Sequence, residues 1–160
     1  MSDFSIRRRI IGIDFGRARI GIAVSDELGM LAHPVETIPA HGDAAGRIVE
    51  IVREKNAERV VIGLPRHMNG SVGTSAAEAL AFAEKLRTRV SCEVVTWDER
   101  LTTMAANRAL REGGQKTRNS RGFVDQVAAQ MILQGYLDRL QAGRNLDVLG
   151  ESETNAAQAD

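Results

Sequence analysis

The first forty residues alternate between short apolar runs and small polar turns. Residues 10–15 and 20–24 are rich in β-branched side chains and are separated by only four residues. Two strands joined by a tight turn fit this pattern best. Residues 34–38 predict a third strand, so we expect the chain to open with an antiparallel meander.

The pattern changes to helical spacing further along the chain. Apolar residues between 44 and 52 share one helical face, and the apolar run 60–64 follows as a buried strand. A second helix, opened by a capping box of Ser75 and Glu78, leads to a strand at 94–97. Helices between successive strands imply that this part of the sheet is parallel.

The remaining segments complete one α/β domain. A third helix is predicted from Thr102 or Thr103 to Gly113, a polar mobile loop at 115–122, and a last helix at about 123–140. The order βββαβαβαα predicts a mixed sheet flanked by helices and resembles the ribonuclease-H-like fold. We expect residues 1–141 to form this domain and 142–160 to be a disordered acidic tail.

Composition narrows the function classes only slightly. A chain of 160 residues with 43% hydrophobic and 26% charged residues is typical of one soluble domain, and no signal peptide or membrane span is visible. We therefore expect a cytoplasmic protein. The single cysteine excludes an intrachain disulfide and a cysteine zinc cluster. The net charge of zero hides an acidic tail, since residues 1–141 carry a net charge of +3, a weak sign of polyanion binding.

Two acidic positions lie where a charge needs compensation. Asp14 is inside an apolar run, where a bound cation would offset its desolvation, although it can instead end the strand and hydrogen-bond the turn at Gly16. Asp98 and Glu99 follow a predicted parallel strand at the edge where α/β sheets bind ligands. They can also be solvated charges that complement a helix dipole. Because neighbouring strand residues point to opposite faces, only one of them can easily face the site.

Asp125 is the third candidate. It shares a helical face with Ala128, Ala129 and Ile132, and these small residues would let the helix approach the sheet closely. The carboxylate would then point at the edge of the sheet. The alternative is a purely electrostatic role near the helix N-terminus.

Three convergent carboxylates would repel one another, so their arrangement predicts bound divalent cations. Ligands that are all oxygen favour Mg²⁺ or Mn²⁺. Two such ions about 4 Å apart can generate the attacking hydroxide and stabilise the leaving oxygen of a phosphodiester. In this interpretation Asp14, Glu99 and Asp125 are ligands and not general bases.

Several cations near these positions could bind phosphate, although each can also be an ordinary surface charge. Gly16 leaves room for a phosphate to approach the backbone. The candidate cations are Arg17, Arg19, Arg100, Lys116, Arg118 and Arg121.

Four stretches together resemble the YqgF family, also called RuvX. They are Gly12-Ile13-Asp14-Phe15-Gly16 with residues 19–26, Gly63-Leu64-Pro65, residues 98–103 (DERLTT), and Val124-Asp125 with Ala128-Ala129. The resemblance spans roughly residues 8–141. This family is similar in fold to Holliday-junction resolvases of the RuvC type, and its members are described as nucleases that mature the 5′ end of pre-16S ribosomal RNA. It implies that Asp14, Glu99 and Asp125 are the acidic residues of the site, with Asp98 as a possible substitute for Glu99.

The resemblance implies a metal-dependent endonuclease that acts on structured pre-rRNA or on a ribosomal precursor particle. The segment 115–122 carries fewer lysines than in many relatives, which affects the loop contacts more than the metal site. Two alternatives stay open: a resolvase of branched DNA, which in RuvC-type enzymes acts as a symmetric dimer, and an RNA-binding ribosome-assembly factor without catalysis. A monomer and a homodimer are both compatible with the sequence. A sugar-kinase-like or actin-like ATPase would need a second domain.

Overall fold

The computed structural model describes residues 9–65, 74–99 and 121–158. This part of the chain contains five strands and three helices. The strands are β1 (Arg9–Phe15), β2 (Arg19–Ser25), β3 (Ala32–Pro39), β4 (Ala57–Leu64) and β5 (Glu93–Asp98). The helices are α1 (Ala44–Lys55), α2 (Thr74–Arg87) and α3 (Arg121–Gln158).

All five strands form one mixed sheet in the order β3-β2-β1-β4-β5. The first three strands pair antiparallel, whereas β4 is parallel to both β1 and β5. The predicted meander extended by parallel strands is therefore confirmed, and with it the α/β class. The N-terminal strand β1 lies at the centre of the sheet, so its two ends are flanked on both sides.

Alternate residues of the strands supply two cores, one on each face of the sheet. Ile11 and Ile13 of β1 pack with residues of α1 and α2, and Ile10 packs with residues of α3. Helix α1 buries its apolar side on the first face. Its N-cap is Asp43, whose carboxylate accepts a hydrogen bond from the backbone N–H of Gly46 at 3.2 Å. Helix α3 alone among the described helices covers the second face.

Helix α3 lies unusually close to the sheet because glycines occupy the strand positions beneath it. A Cβ at Gly21 would lie 1.9 Å from the backbone oxygen of Asp125. At Gly12 a Cβ would lie 2.6 Å from the Cβ of Leu133, and a Cβ at Gly63 would be crowded in the same way. Only glycine therefore permits this packing distance without a shift of the helix.

Two glutamine side chains attach α3 to the edge strand β3. The amide of Gln130 donates to the carbonyl of Ala32 at 2.9 Å, and the side-chain oxygen of Gln134 accepts from the N–H of Ala32, also at 2.9 Å. Gln134 donates in addition to the carbonyl of Met30. These bonds satisfy backbone groups at one end of an edge strand and set the position of the helix along the sheet.

The end of α3 differs from the sequence prediction. The helix was expected to finish near residue 140, but its backbone continues to Gln158. Glycine at 143 costs only about 1 kcal/mol relative to alanine in a helix, and no proline follows to stop it. The division of the chain at residue 141 stays a prediction.

Smaller differences concern the helix starts. Helix α2 begins at Thr74, one residue before the predicted cap Ser75, and Glu78 pairs with Arg17. Arg121, expected in a loop, is the first residue of α3. The predicted helix at 102–113 lies outside the described residues. Within the described part of the chain, no helix is both long and apolar enough to cross a membrane.

The close approach at Gly21 generates a stability prediction. We expect Gly21→Ala to lower the free energy of unfolding by about 1–3 kcal/mol, because the new methyl group overlaps the helix backbone. The matched control is Gly143→Ala, where nothing lies within 4 Å and the helix should gain up to about 1 kcal/mol. Urea unfolding measures both; a Gly21→Ala variant as stable as the parent would contradict the packing described here.

Candidate metal and nuclease site

Asp14 lies near the C-terminal end of the central strand and is 7% exposed. Its side chain is on the α3 face, since Asp14 is two residues from Gly12, which contacts that helix. Gly21 of β2 is its register partner. Because Gly21 has no side chain, the first turns of α3 occupy the space beside the carboxylate of Asp14.

Glu99 approaches Asp14 from the opposite side. It follows β5 directly and is 3% exposed. Its Oε1 lies 3.0 Å from the position that a Cβ at Gly63 would take. Gly63 comes one residue after Ile62, the register partner of Ile13, so it lies beside Asp14 on β4. A second glycine thus makes room for a second carboxylate.

The packing of β5 shows on which face of the sheet Asp98 and Glu99 lie. Along β5, Val95 and Trp97 pack in the α3 core, whereas Val94 packs in the core of α1 and α2. Asp98 follows the alternation of Val94 and therefore faces away from α3. Glu99 is on the same face as Asp14.

Asp125 is held by an ion pair on that face. The Nε of Arg19 donates to the Oδ2 of Asp125 at 2.7 Å, and the two side chains are 41% and 21% exposed. Arg19 begins β2, two residues before Gly21, so the pair spans the sheet and the first turn of α3. In this arrangement the charge of Asp125 is compensated by the chain itself.

The turn between β1 and β2 positions two of the predicted phosphate-binding cations. A Cβ at Gly16 would lie 2.5 Å from the carbonyl oxygen of Arg19, which explains why glycine is needed there. Arg17 donates to Glu78 at 3.1 Å and is largely exposed. Both arginines of the turn therefore have acidic partners.

The other predicted contacts are not tested by the structure. Arg100, Lys116 and Arg118 lie outside the described residues, and Arg121 is described only as the backbone start of α3.

The donor chemistry of the site suits a hard divalent cation, since the three candidate ligands on this face are all carboxylates. They are not yet gathered around one point: in the part of the chain that is described, no three His, Cys, Asp or Glu side chains are close enough to share a metal ion. Asp14 lies beside Gly63 and the carboxylate of Glu99 lies over Gly63, whereas Asp125 is paired with Arg19. Ion binding would therefore require Asp125 to exchange its guanidinium partner for the metal.

Trp97 provides a reporter next to the site. It is the only tryptophan of the chain and lies two residues before Glu99. Its ring packs edge-to-face with Tyr136 at a centroid distance of 5.6 Å. Its indole Nε1 is buried and has no hydrogen-bond partner among the described groups. The emission of Trp97 should therefore respond to small movements of β5 and α3.

The sequence pattern singled out the candidate carboxylates but not the roles of Gly21 and Gly63 beside them. Gly21 and Gly63 sit inside buried strands, where glycine lacks side-chain packing and weakens the strand. This placement often marks a close approach of another backbone or of a ligand, and it was the signal available in the sequence.

The match to a family model decides the relationship of the chain. Residues 8–139 match the model described as "RuvX: Holliday junction resolvase". The chain belongs to the RuvX family. The match contains all five described strands, together with Asp14, Glu99 and Asp125.

Curated relatives of the RuvX family agree with this assignment. A protein of Nocardia farcinica is 45% identical over 96% of this chain and 89% of its own length. A Moorella thermoacetica protein is 48% identical over 82% of this chain and 96% of its own length. Both carry the name "Putative pre-16S rRNA nuclease". These relationships identify the chain as a hydrolytic nuclease whose substrate class is nucleic acid.

Solved structures support the same fold. RuvC of Thermus thermophilus in complex with a Holliday junction substrate matches with a TM-score of 0.53 at 14% identity, covering 82% of this chain and 96% of that chain. A second structure of Thermus thermophilus RuvC gives a TM-score of 0.52 at 13% identity, covering 84% and 96% of the two chains. At this level of identity the likeness concerns the ribonuclease-H-like fold alone.

The position of Gly63 allows a test of the site geometry. Gly63→Ala should crowd both α3 and the carboxylate of Glu99, whereas Gly12→Ala should crowd only α3. We expect both to lower the free energy of unfolding by about 1–3 kcal/mol. Only Gly63→Ala should also weaken Mn²⁺ binding, by about tenfold or more, as measured by calorimetry on the folded variants. Equal loss of Mn²⁺ affinity in both variants would indicate that Glu99 is not part of the metal site.

Proposed function

We propose that this RuvX-family chain is a divalent-metal-dependent endonuclease that hydrolyses phosphodiester bonds during 5′-end processing of pre-16S rRNA. The observation that carries the proposal is the position of Asp14 between Gly21 and Gly63, which admits α3 on one side and Glu99 on the other. The names of the curated relatives support the rRNA substrate. The substrate would be structured pre-rRNA, free or within a ribosomal precursor particle.

In this proposal Asp14, Glu99 and Asp125 would hold two Mg²⁺ or Mn²⁺ ions. Bound ions of this kind supply Lewis-acid activation of the scissile phosphate and of the attacking water. The burial of Asp14 and Glu99 limits the number of positions that their carboxylates can adopt. It also keeps bulk water from competing for them.

Arg19 has two successive tasks in the same proposal. Before a cation is bound, its guanidinium compensates the charge of Asp125 at 2.7 Å. If Asp125 held a cation instead, the guanidinium would be available to a phosphate of the substrate, for which its planar fork is well suited. Arg17 can act similarly because its pair with Glu78 is exposed and therefore weak.

A second candidate substrate is branched DNA, which is favoured by the description of the matched family as a Holliday junction resolvase. A junction has two-fold symmetry, so this function would require a symmetric dimer. The rRNA substrate imposes no such symmetry and is compatible with a monomer.

Removal of a proposed metal ligand tests the metal dependence. Asp14→Asn should reduce Mg²⁺- or Mn²⁺-dependent cleavage of a labelled pre-16S 5′-leader RNA by at least about 100-fold, because even an outer partner of a metal ligand is worth 10- to 100-fold. Cleavage is measured on gels beside a four-way DNA junction. Parent cleavage of the junction alone would reassign the substrate. Binding of the RNA without any cleavage would favour a non-catalytic assembly factor.

Substitution of the neighbouring residues Asp98 and Glu99 tests which of the two carboxylates binds the metal ion. Glu99→Gln should weaken Mn²⁺ binding by about tenfold or more, whereas Asp98→Asn should leave it within about twofold, because Asp98 faces away from α3. Calorimetry gives the affinities, and the emission of Trp97 follows the same titration without requiring activity. The reverse order of effects would assign Asp98 as the ligand.

A further inference from the structure

A shallow groove of about 590 Å³ lies between α2 and the turn that joins β1 to β2. Its walls include Phe15, Phe82, Arg17, Glu78 and Lys85. We propose that this groove binds an unpaired nucleotide of the substrate strand, with the base on Phe82 and Phe15 and the flanking phosphates on Arg17 and Lys85. The proposal rests on the proposed function, since it extends the path of the strand beyond the carboxylates.

The floor of the groove is aromatic. The rings of Phe15 and Phe82 are stacked with centroids 4.9 Å apart and an interplanar angle of 30°. Both side chains are only partly buried, although they pack against the core of α1 and α2. Partly exposed aromatic faces bind bases without sequence preference, because every base has a π-face. A cavity of this volume is also large enough for a single nucleotide.

The charges of the groove favour a polyanion over an apolar guest. Arg17 is 66% exposed and its partner Glu78 is 40% exposed, so the ion pair costs little to break. Lys85 lies on the same side of α2, two turns after Glu78, and is exposed. The nearby carboxylate of Asp43 has its pKa lowered mainly by Arg89, which hydrogen-bonds it. Two cations and one acid leave the walls net positive.

The groove is reached from the candidate metal site around one edge of the sheet. Phe15 follows Asp14 in β1, so their side chains lie on opposite faces at the same end of the strand. Arg17 lies in the turn between Asp14 and Arg19. The carbonyl of Ala18 in that turn accepts a hydrogen bond from the N–H of Ala40 at 3.0 Å, which ties the turn to the end of β3. A strand cut at the carboxylates can therefore pass over this turn into the groove.

The test measures binding without cleavage. Fluorescence anisotropy follows a labelled single-stranded hexaribonucleotide binding to the full chain in EDTA, over a range of salt concentrations. Lys85→Gln should weaken binding about fivefold and lower the salt slope by about 0.7, the contribution of one phosphate contact to a single strand. Lys55→Gln is the matched control, because this lysine is in the last turn of the neighbouring helix and is not part of the groove.

Phe82→Leu tests the base contact separately. Leucine keeps an apolar side chain against the core but removes the aromatic face, so single-strand affinity should fall about fivefold. Binding of a duplex RNA of the same length should stay unchanged, because its paired bases cannot stack on the ring. Urea unfolding establishes that the variant is folded under the assay conditions.

The outcomes distinguish failure of the groove proposal from failure of the proposed nuclease function. Parent-like affinity and salt slope in both Lys85→Gln and Phe82→Leu would overturn the groove, even if the parent cuts RNA. Failure of the parent to bind the single strand would overturn it as well. Loss of binding in both variants, with no effect of Lys55→Gln, would support the groove even if the chain cuts neither RNA nor DNA.

Discussion

The contact between the backbone of α3 and the strand β2 at Gly21 is the constraint on which the site depends. A methyl group at this position would overlap the carbonyl oxygen of Asp125, so the helix can lie there only because the strand has no side chain. The same contact brings the first turn of α3 beside Asp14 and lets Arg19 reach Asp125. Packing of α3 on the sheet and the position of Asp125 near Asp14 are thus consequences of one close approach.

Most of the fold could be predicted because its signals are local. The β-branched runs in β1 and β2 and the helical spacing in α1 produce elements within one to three residues of those observed. Prediction failed where a residue far away in the sequence determines the contact that a side chain makes. Glu78 has the right spacing to cap α2, but its side chain pairs with Arg17, 61 residues earlier in the chain. The hydrogen bonds of the Gln130 and Gln134 side chains between α3 and β3 likewise could not be predicted from any sequence pattern.

The candidate site residues stay a prediction, but the structure adds their positions, which the sequence pattern did not give. A carboxylate in an apolar strand stands out, and Asp14 is indeed buried in β1. Sequence alternation separated Asp98 from Glu99, yet only the packing of Val95 and Trp97 tells which of the two faces α3. The Arg19–Asp125 ion pair was not predicted, because both residues had been interpreted by their separate roles. It shows that the chain itself compensates part of its acidic charge.

The order of the elements has a consequence for synthesis on the ribosome. The five described strands are complete once residue 98 has been made, but the described helix that covers the face with Asp14 begins only at Arg121. Arg19 and Asp125 are 106 residues apart, and contacts of such sequence separation form late. The contact at Gly21 and the Arg19–Asp125 ion pair therefore cannot form on a nascent chain until its last quarter is being made.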